Sequence, residues 1–78
     1  MIKATRLRRG NEERQIILMK GNASYHVYCD VTASDFHTIG HRELLESCST
    51  KRMAESLYRI KVNFLKGFQY EEVSECLS

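Results

Sequence analysis

The dipeptides Gly10-Asn11 and Gly21-Asn22, which stand eleven residues apart, constrain the fold of this chain more than any other feature. Each lies between runs of strand-forming residues. Glycine at the first central position of a two-residue loop supplies the positive φ that a type II′ hairpin turn requires. The first thirty or so residues are therefore predicted to form a three-stranded antiparallel β-meander.

The predicted second hairpin divides its side chains between two faces. A two-residue loop at Gly21-Asn22 pairs Lys20 with Ala23, and alternation then places one apolar set on the core face: Ile16, Leu18, Tyr25 and Val27. The opposite face is more polar but still carries apolar groups: Ile2, Ala4, Ile17, Met19, His26 and Tyr28.

A long helix is predicted after this sheet, over residues 50–66. Apolar side chains recur there at steps of four, three and four, as Met53, Leu57, Ile60 and Phe64, and this stripe is predicted to pack on the core face of the sheet. Ser49 or Thr50 is the expected N-cap and Gly67 the expected C′ residue. The opposite side of the helix would present a basic stripe to solvent, consisting of Arg52, Arg59 and Lys66.

Two segments allow more than one interpretation. Residues 32–48 contain either a short strand from Phe36 to Ile39 or two helical turns from His41 to Cys48. The tail from Phe68 to Leu77 is either a fourth strand or a short helix. The predicted fold class is α+β: a three-stranded antiparallel meander, with a fourth strand as an option, packed on one long helix in the C-terminal half of a single small domain, residues 1–78.

Length and cysteine content indicate where such a chain acts. A chain of 78 residues is near the lower size for unaided folding, so a large internal cavity is not expected and function should lie on a surface. The sequence shows no transmembrane run and no signal-peptide core, which favours the cytoplasm. Cys29, Cys48 and Cys76 are expected to be reduced thiols, buried or half-buried.

The cysteines and histidines are the candidates for a metal site or a catalytic site. Cys29, His37, His41 and Cys48 are residue types that zinc prefers, but their C-x7-H-x3-H-x6-C spacing matches no zinc finger. A buried cysteine with surface histidines is the favoured interpretation. Cys29 and His26 alternate onto opposite faces, so they do not form a nucleophile–base pair. The sequence predicts no metal, no cofactor, no catalytic residues and no enzymatic activity.

Nucleic-acid binding is the alternative function that the charges allow. The net charge is +2, yet residues 1–20 hold six bases against two acids. The N-terminal arginines and the basic helix stripe would supply phosphate contacts. Three glutamates in the last ten residues, with no base, and a sequence pI of about 8.5 argue against this function.

Protein binding is the favoured function. The half-apolar sheet face, rimmed by arginines, has the composition of an interface, in which aromatic, Met and Arg residues are enriched. The predicted partner-binding residues are Arg6, Arg8, Arg9, Arg14, Ile17, Met19, His26 and Tyr28. The partner would be another protein or a second copy of the chain, and the function that of an inhibitor, adaptor or accessory factor of the kind that phages and mobile elements encode.

Overall fold

Five strands and one helix make up most of the chain in the computed structural model, which describes residues 1–33 and 38–77. In chain order they are β1 (Lys3–Arg9), β2 (Glu12–Lys20), β3 (Tyr25–Ala33), β4 (Thr38–Cys48), α1 (Lys51–Gly67) and β5 (Glu71–Leu77). The strands form one antiparallel sheet in the order β4-β3-β2-β1-β5. The α+β class is confirmed, with five strands in place of the predicted three or four.

The first hairpin forms as predicted. Arg9 pairs with Glu12 across the loop Gly10-Asn11. Gly10 has φ of 60°, and the only non-glycine residue with positive φ in the described part of the chain is Gln69. A positive φ confined to the first loop residue is the pattern of a type II′ turn.

The second hairpin has a longer loop than predicted. Lys20 pairs with Tyr25, so the loop is residues 21–24, and the Gly21 N–H donates to the Ser24 carbonyl at 2.8 Å. Gly21 does not have the positive φ that we expected. Instead, a Cβ on Gly21 would lie 2.7 Å from His26 Nε2, so glycine at this position lets the His26 ring lie close to the backbone. Because the register shifts by two residues, side chains keep their predicted faces.

The two ambiguous segments both add strands to the sheet. β4 pairs with β3, so the helical turns considered for His41–Cys48 are wrong, while Phe36 lies outside the described residues. β5 pairs with β1, which confirms the strand and not the short helix. β1 would otherwise leave its outer N–H and C=O groups unpaired, and β5 satisfies them.

The helix packs on the predicted face of the sheet but through a different stripe. Its buried residues are Ala54, Tyr58, Val62 and Leu65, and they meet a sheet core that includes Leu7, Ile16, Leu18 and Val27. Of the predicted stripe, only Leu57 packs partly against this core, and Met53, Ile60 and Phe64 are exposed. Tyr58 fixes the rotation, because its hydroxyl shares a hydrogen bond with the buried Thr5 of β1.

The ends of the helix follow standard capping chemistry, although the predicted C-terminal residue is wrong. The Thr50 side chain accepts from the Met53 N–H at 3.2 Å, as expected of an N-cap. Gly67 is the last helical residue, and Gln69 takes the left-handed position with φ of 71°. The N–H of Gln69 donates to Lys66 and that of Tyr70 to Leu65, each at 3.2 Å, which is a Schellman motif.

Candidate interaction surface

The open face of the sheet, on the side away from α1, is partly closed over by its own side chains. Ile17 lies between Ala4 of β1 and Tyr28 of β3, and it is only 5 % exposed, while Ala4 is 1 % exposed. Met19, His26 and Tyr28 are half-buried. Ile2, expected on this face, packs instead against the core beneath the helix. The centre of the predicted interface is therefore already covered.

Hydrogen bonds hold the polar side chains of the open face. His26 Nδ1 is 2.8 Å from Ser47 Oγ, and its Nε2 is 3.2 Å from Ser24 Oγ. The His26 and Tyr28 rings are 6.0 Å apart. The imidazole is thus held between two serine hydroxyls and the Tyr28 ring.

The arginines of the open face have carboxylate partners. Arg6 Nε donates to Glu13 at 2.6 Å, and Arg8 lies 3.9 Å from the same carboxylate. Arg42 of β4 makes a bidentate pair with Asp30 at 2.7 and 3.0 Å. A partner that used these cations would have to break existing ion pairs.

Arg9 and Arg14, predicted on the same rim, lie elsewhere, around Tyr70. Arg9 donates to the Phe68 carbonyl at 2.9 Å, and its guanidinium lies 4.6 Å from the centre of the Tyr70 ring. Arg14 Nε is 2.7 Å from a Glu12 carboxylate oxygen, which also accepts the Tyr70 hydroxyl. The hydrogen bond from Tyr70, together with that from Arg14, lowers the pKa of Glu12. The structure therefore divides the four arginines between two surfaces.

Most of the exposed large apolar side chains in the described residues lie on α1 or just after it. We call the apolar side chains there the helix stripe: Met53, Leu57, Ile60, Phe64 and, just after the helix, Phe68. Four of these side chains are more than half exposed, at 55 % for Met53, 58 % for Ile60, 59 % for Phe64 and 53 % for Phe68. The rings of Phe64 and Phe68 are in contact, with centres 4.8 Å apart. The sequence pattern identified Met53, Leu57, Ile60 and Phe64 as a stripe but assigned them to the core, and it did not include Phe68.

A groove runs between the helix stripe and the outer strand β4, and we call it the α1–β4 groove. It encloses about 130 Å³ and is lined by Lys61, Phe64 and Leu65 of α1, Glu43 and Leu45 of β4, and Arg14, Ile16 and Cys29. On the other flank of α1, two ion pairs connect the helix to the sheet: Glu55 is 3.9 Å from Lys3, and Lys66 is 3.1 Å from Glu72. The groove therefore lies on the one flank of the helix that faces β4.

The helix carries uncompensated positive charge beside the stripe. It contains five basic residues and one acidic residue. Within residues 1–33 and 38–77, ion pairs engage Lys66 but not Lys51, Arg52, Arg59 or Lys61. Arg52 lines one shallow depression with Met53 and Leu57, and Arg59 lines another with Ile60. The predicted basic stripe is exposed, and two of its members border apolar side chains.

The cysteines differ in exposure. Cys29 and Cys48 are buried, as expected, but Cys76 is exposed, which corrects the prediction for that thiol. Burial raises the pKa of the Cys29 thiol and so keeps it in the less nucleophilic form. All of His37 and the side chain of His41 fall outside the described part, so the prediction that this set binds no zinc stays a prediction. Among the described residues no cluster of three or more metal-ligating side chains occurs.

Comparison with known proteins gives no match: no family model fits the chain, and neither a curated protein nor a solved structure is significantly similar to it. In the described residues, no helix has both the length and the apolar character needed to cross a membrane.

Proposed function

We propose that this chain is a small, non-enzymatic protein-binding module of the cytoplasm, acting as an inhibitor, adaptor or accessory factor, and that the helix stripe is its binding surface. One observation carries the proposal: Met53, Ile60, Phe64 and Phe68 lie along one side of α1 and its C-terminal end, more than half exposed, beside cations that have no ion pair among the described residues. Exposed apolar patches with a charged rim mark interaction sites.

The energetics favour this surface over the open face of the sheet. Fully burying a side chain such as Phe or Ile contributes roughly 1.5–3 kcal/mol, and the helix stripe offers several such side chains without prior rearrangement. On the open face, Ile17 is already buried and Arg6 is paired with Glu13. Binding there would gain less apolar burial and would disturb existing ion pairs.

Site-specific photo-crosslinking in cells of the source organism tests the proposal. The photoreactive residue p-benzoylphenylalanine replaces Ile60 in one variant and Arg8, on the open face, in the matched control. We expect position 60 to give discrete, nuclease-resistant protein adducts that disappear when Phe64→Asp is added, and position 8 to give none. Adducts from position 8 alone would assign binding to the sheet face and overturn the choice of the helix stripe.

A nucleic-acid-binding function is the second candidate, because Arg52, Arg59 and Lys61 have no ion pair within the described residues and Lys61 lines the same groove as the exposed ring of Phe64. Cations beside an aromatic ring are the components of a single-strand binding surface. If this function holds, Arg52→Ala and Arg59→Ala should each reduce the slope of log affinity for single-stranded RNA against log salt by about one. Slopes that do not change would exclude phosphate contacts at these two positions.

A further inference from the structure

The sheet is wider than the single helix that covers it. Five strands spaced about 4.8 Å apart span roughly 19 Å between the outer strand axes, whereas a helix with its side chains is about 10–12 Å across. Contacts of Glu55 with Lys3 and of Lys66 with Glu72 tie α1 toward β1 and β5. One part of this face that α1 leaves open lies beside β4, at the α1–β4 groove, where Glu43 and Leu45 form part of the lining.

The spacing of the helix stripe fits a second helix. Residues at steps of four, three and four repeat as the a and d positions through which two helices pack side by side. From Met53 to Phe64 the stripe is about 16 Å long, or three turns. A helix lying 8–10 Å from α1, the usual packing distance, would lie above β4 and cover Leu45 as well as the stripe. An added strand could pair only with the outer edge of β4, because the side of an α-helix offers no free backbone hydrogen-bonding groups, and from that edge it would not cover the helix stripe.

The charges beside the helix stripe indicate which kind of second helix would bind there. Lys61 lies on the groove side of the stripe, and Arg52 and Arg59 border the stripe on the side that leads away from the groove. None of the three is ion-paired within the described ranges. A second copy of α1 would bring five more bases and one acid against them, and such like-charge contacts are unfavourable. Acidic side chains on the α1 side of the docked helix would complement them, whereas its β4 side would face Glu43 and should not be acidic.

We propose that the partner docks as an amphipathic helix from another protein, with acidic residues on the α1 side of an apolar stripe, lying beside α1 in the α1–β4 groove. The proposal rests on the helix stripe being the protein-binding surface. It adds the class of partner, its secondary structure, the sign of its charge and the strand that it covers.

Selection from a phage-displayed library of random 16-residue peptides on the immobilised full chain tests the proposal. We expect enriched peptides to be net acidic, with apolar residues at i, i+3, i+4 and i+7, and to become helical on binding by circular dichroism. In fluorescence anisotropy, Phe64→Ala and Leu45→Ala should each weaken binding about tenfold. Val73→Ala, an exposed apolar change on β5, should change affinity less than twofold.

A charge exchange makes the test specific. Lys61→Glu should weaken the acidic peptide about tenfold and should recover affinity when the facing glutamate of the peptide becomes lysine. Lys20→Glu, an exposed lysine on β2, is the matched control and should have little effect. Circular dichroism and melting temperature show whether each variant is folded.

Several results would overturn the inference. Enrichment of basic or extended peptides, or of none, would exclude an acidic helix as the partner. If sedimentation equilibrium shows a homodimer that Ile60→Asp dissociates, the occupant of the groove is a second copy of the chain. If single-stranded RNA competes with the peptide, the occupant is nucleic acid. If position 60 gives crosslinks but the selected peptides are not acidic, the proposed function stands and only the acidic-helix inference is wrong. If acidic helical peptides bind Phe64→Ala as tightly as the parent chain, the helix stripe is not the binding surface.

Discussion

At the residue scale, the end of α1 places a glutamine where glycine is the usual choice. Gln69 occupies the left-handed C′ position of the Schellman motif, with φ of 71°. Side chains with a Cβ are disfavoured there by about 1 kcal/mol. Gly67 stands two residues earlier, inside the helix, where a Cβ would meet nothing within 4 Å. The chain thus has its glycine at a position that does not require it.

Placing glycine at position 69, or a residue with a side chain at position 67, should stabilise the fold. Gln69→Gly should raise the free energy of unfolding by about 0.5–1 kcal/mol by relieving the left-handed strain, and Gly67→Ala by a similar amount through helix propensity. Chemical denaturation followed by circular dichroism measures both. A decrease for Gln69→Gly would show that the glutamine side chain makes a stabilising contact that outweighs its backbone strain.

At the scale of elements, α1 carries two adjacent apolar stripes, and only one of them can face the sheet. The exposed stripe contains Met53, Ile60 and Phe64, whereas the buried one combines Val62 and Leu65 with the smaller Ala54 and with Tyr58, which carries a polar hydroxyl. The buried stripe has a small residue that permits close approach and a tyrosine whose hydroxyl pairs with Thr5. Exposure of an apolar stripe is expected for a helix that binds a second protein.

The rotation of the helix can be tested by two truncations. Leu65→Ala, at a site that is 7 % exposed, should lower the free energy of unfolding by about 2–5 kcal/mol. Ile60→Ala, on the exposed stripe, should change it by less than about 0.5 kcal/mol in the isolated chain. Urea denaturation of both variants gives the comparison. The reverse order of costs would mean that the helix packs through Met53, Ile60 and Phe64, as the sequence pattern alone predicts.

At the scale of the whole molecule, Tyr70 joins the C-terminal part of the chain to the first hairpin. Its buried ring lies under Arg9 and Arg14, and its hydroxyl donates to Glu12, which is 58 residues away in sequence. This contact fixes the chain between α1 and β5, and so helps to set where β5 joins β1. It depends on the ionised form of Glu12.

Acid should therefore weaken the fold partly through Glu12. The pKa of Glu12 is lower in the folded protein than in the unfolded chain, so its contribution to stability is fully present above the unfolded-chain pKa and is lost as the pH falls through the folded pKa. Glu12→Gln should have a smaller loss of unfolding free energy between pH 6 and pH 3 than the parent chain, as measured by urea denaturation. Identical pH dependence in the two proteins would show that Glu12 is not coupled to folding.

Much of the local structure could be predicted from the sequence, because it depends on neighbouring residues. Gly10-Asn11 determines the first hairpin, alternation assigns Ile16, Leu18 and Val27 to the core face, and Thr50 begins the helix. Of the candidate surface, the sequence identified the apolar spacing of the stripe and the exposed positions of Arg52 and Arg59. The use of the open sheet face for binding stays a prediction.

The amino-acid sequence by itself determined strands β1, β2 and β3, the faces of Ile16, Leu18 and Val27, and the start of the helix, since turn geometry, alternation and capping act within a few residues. It left the structure of the β4 and β5 segments open. Only the tertiary structure decided which stripe of α1 is buried and which surface each arginine occupies. Those outcomes depend on contacts such as Thr5 with Tyr58, separated by 53 residues, which no local pattern encodes. The long-range polar contact selects one helix rotation from two that periodicity makes nearly equivalent, and in doing so it leaves the helix stripe exposed.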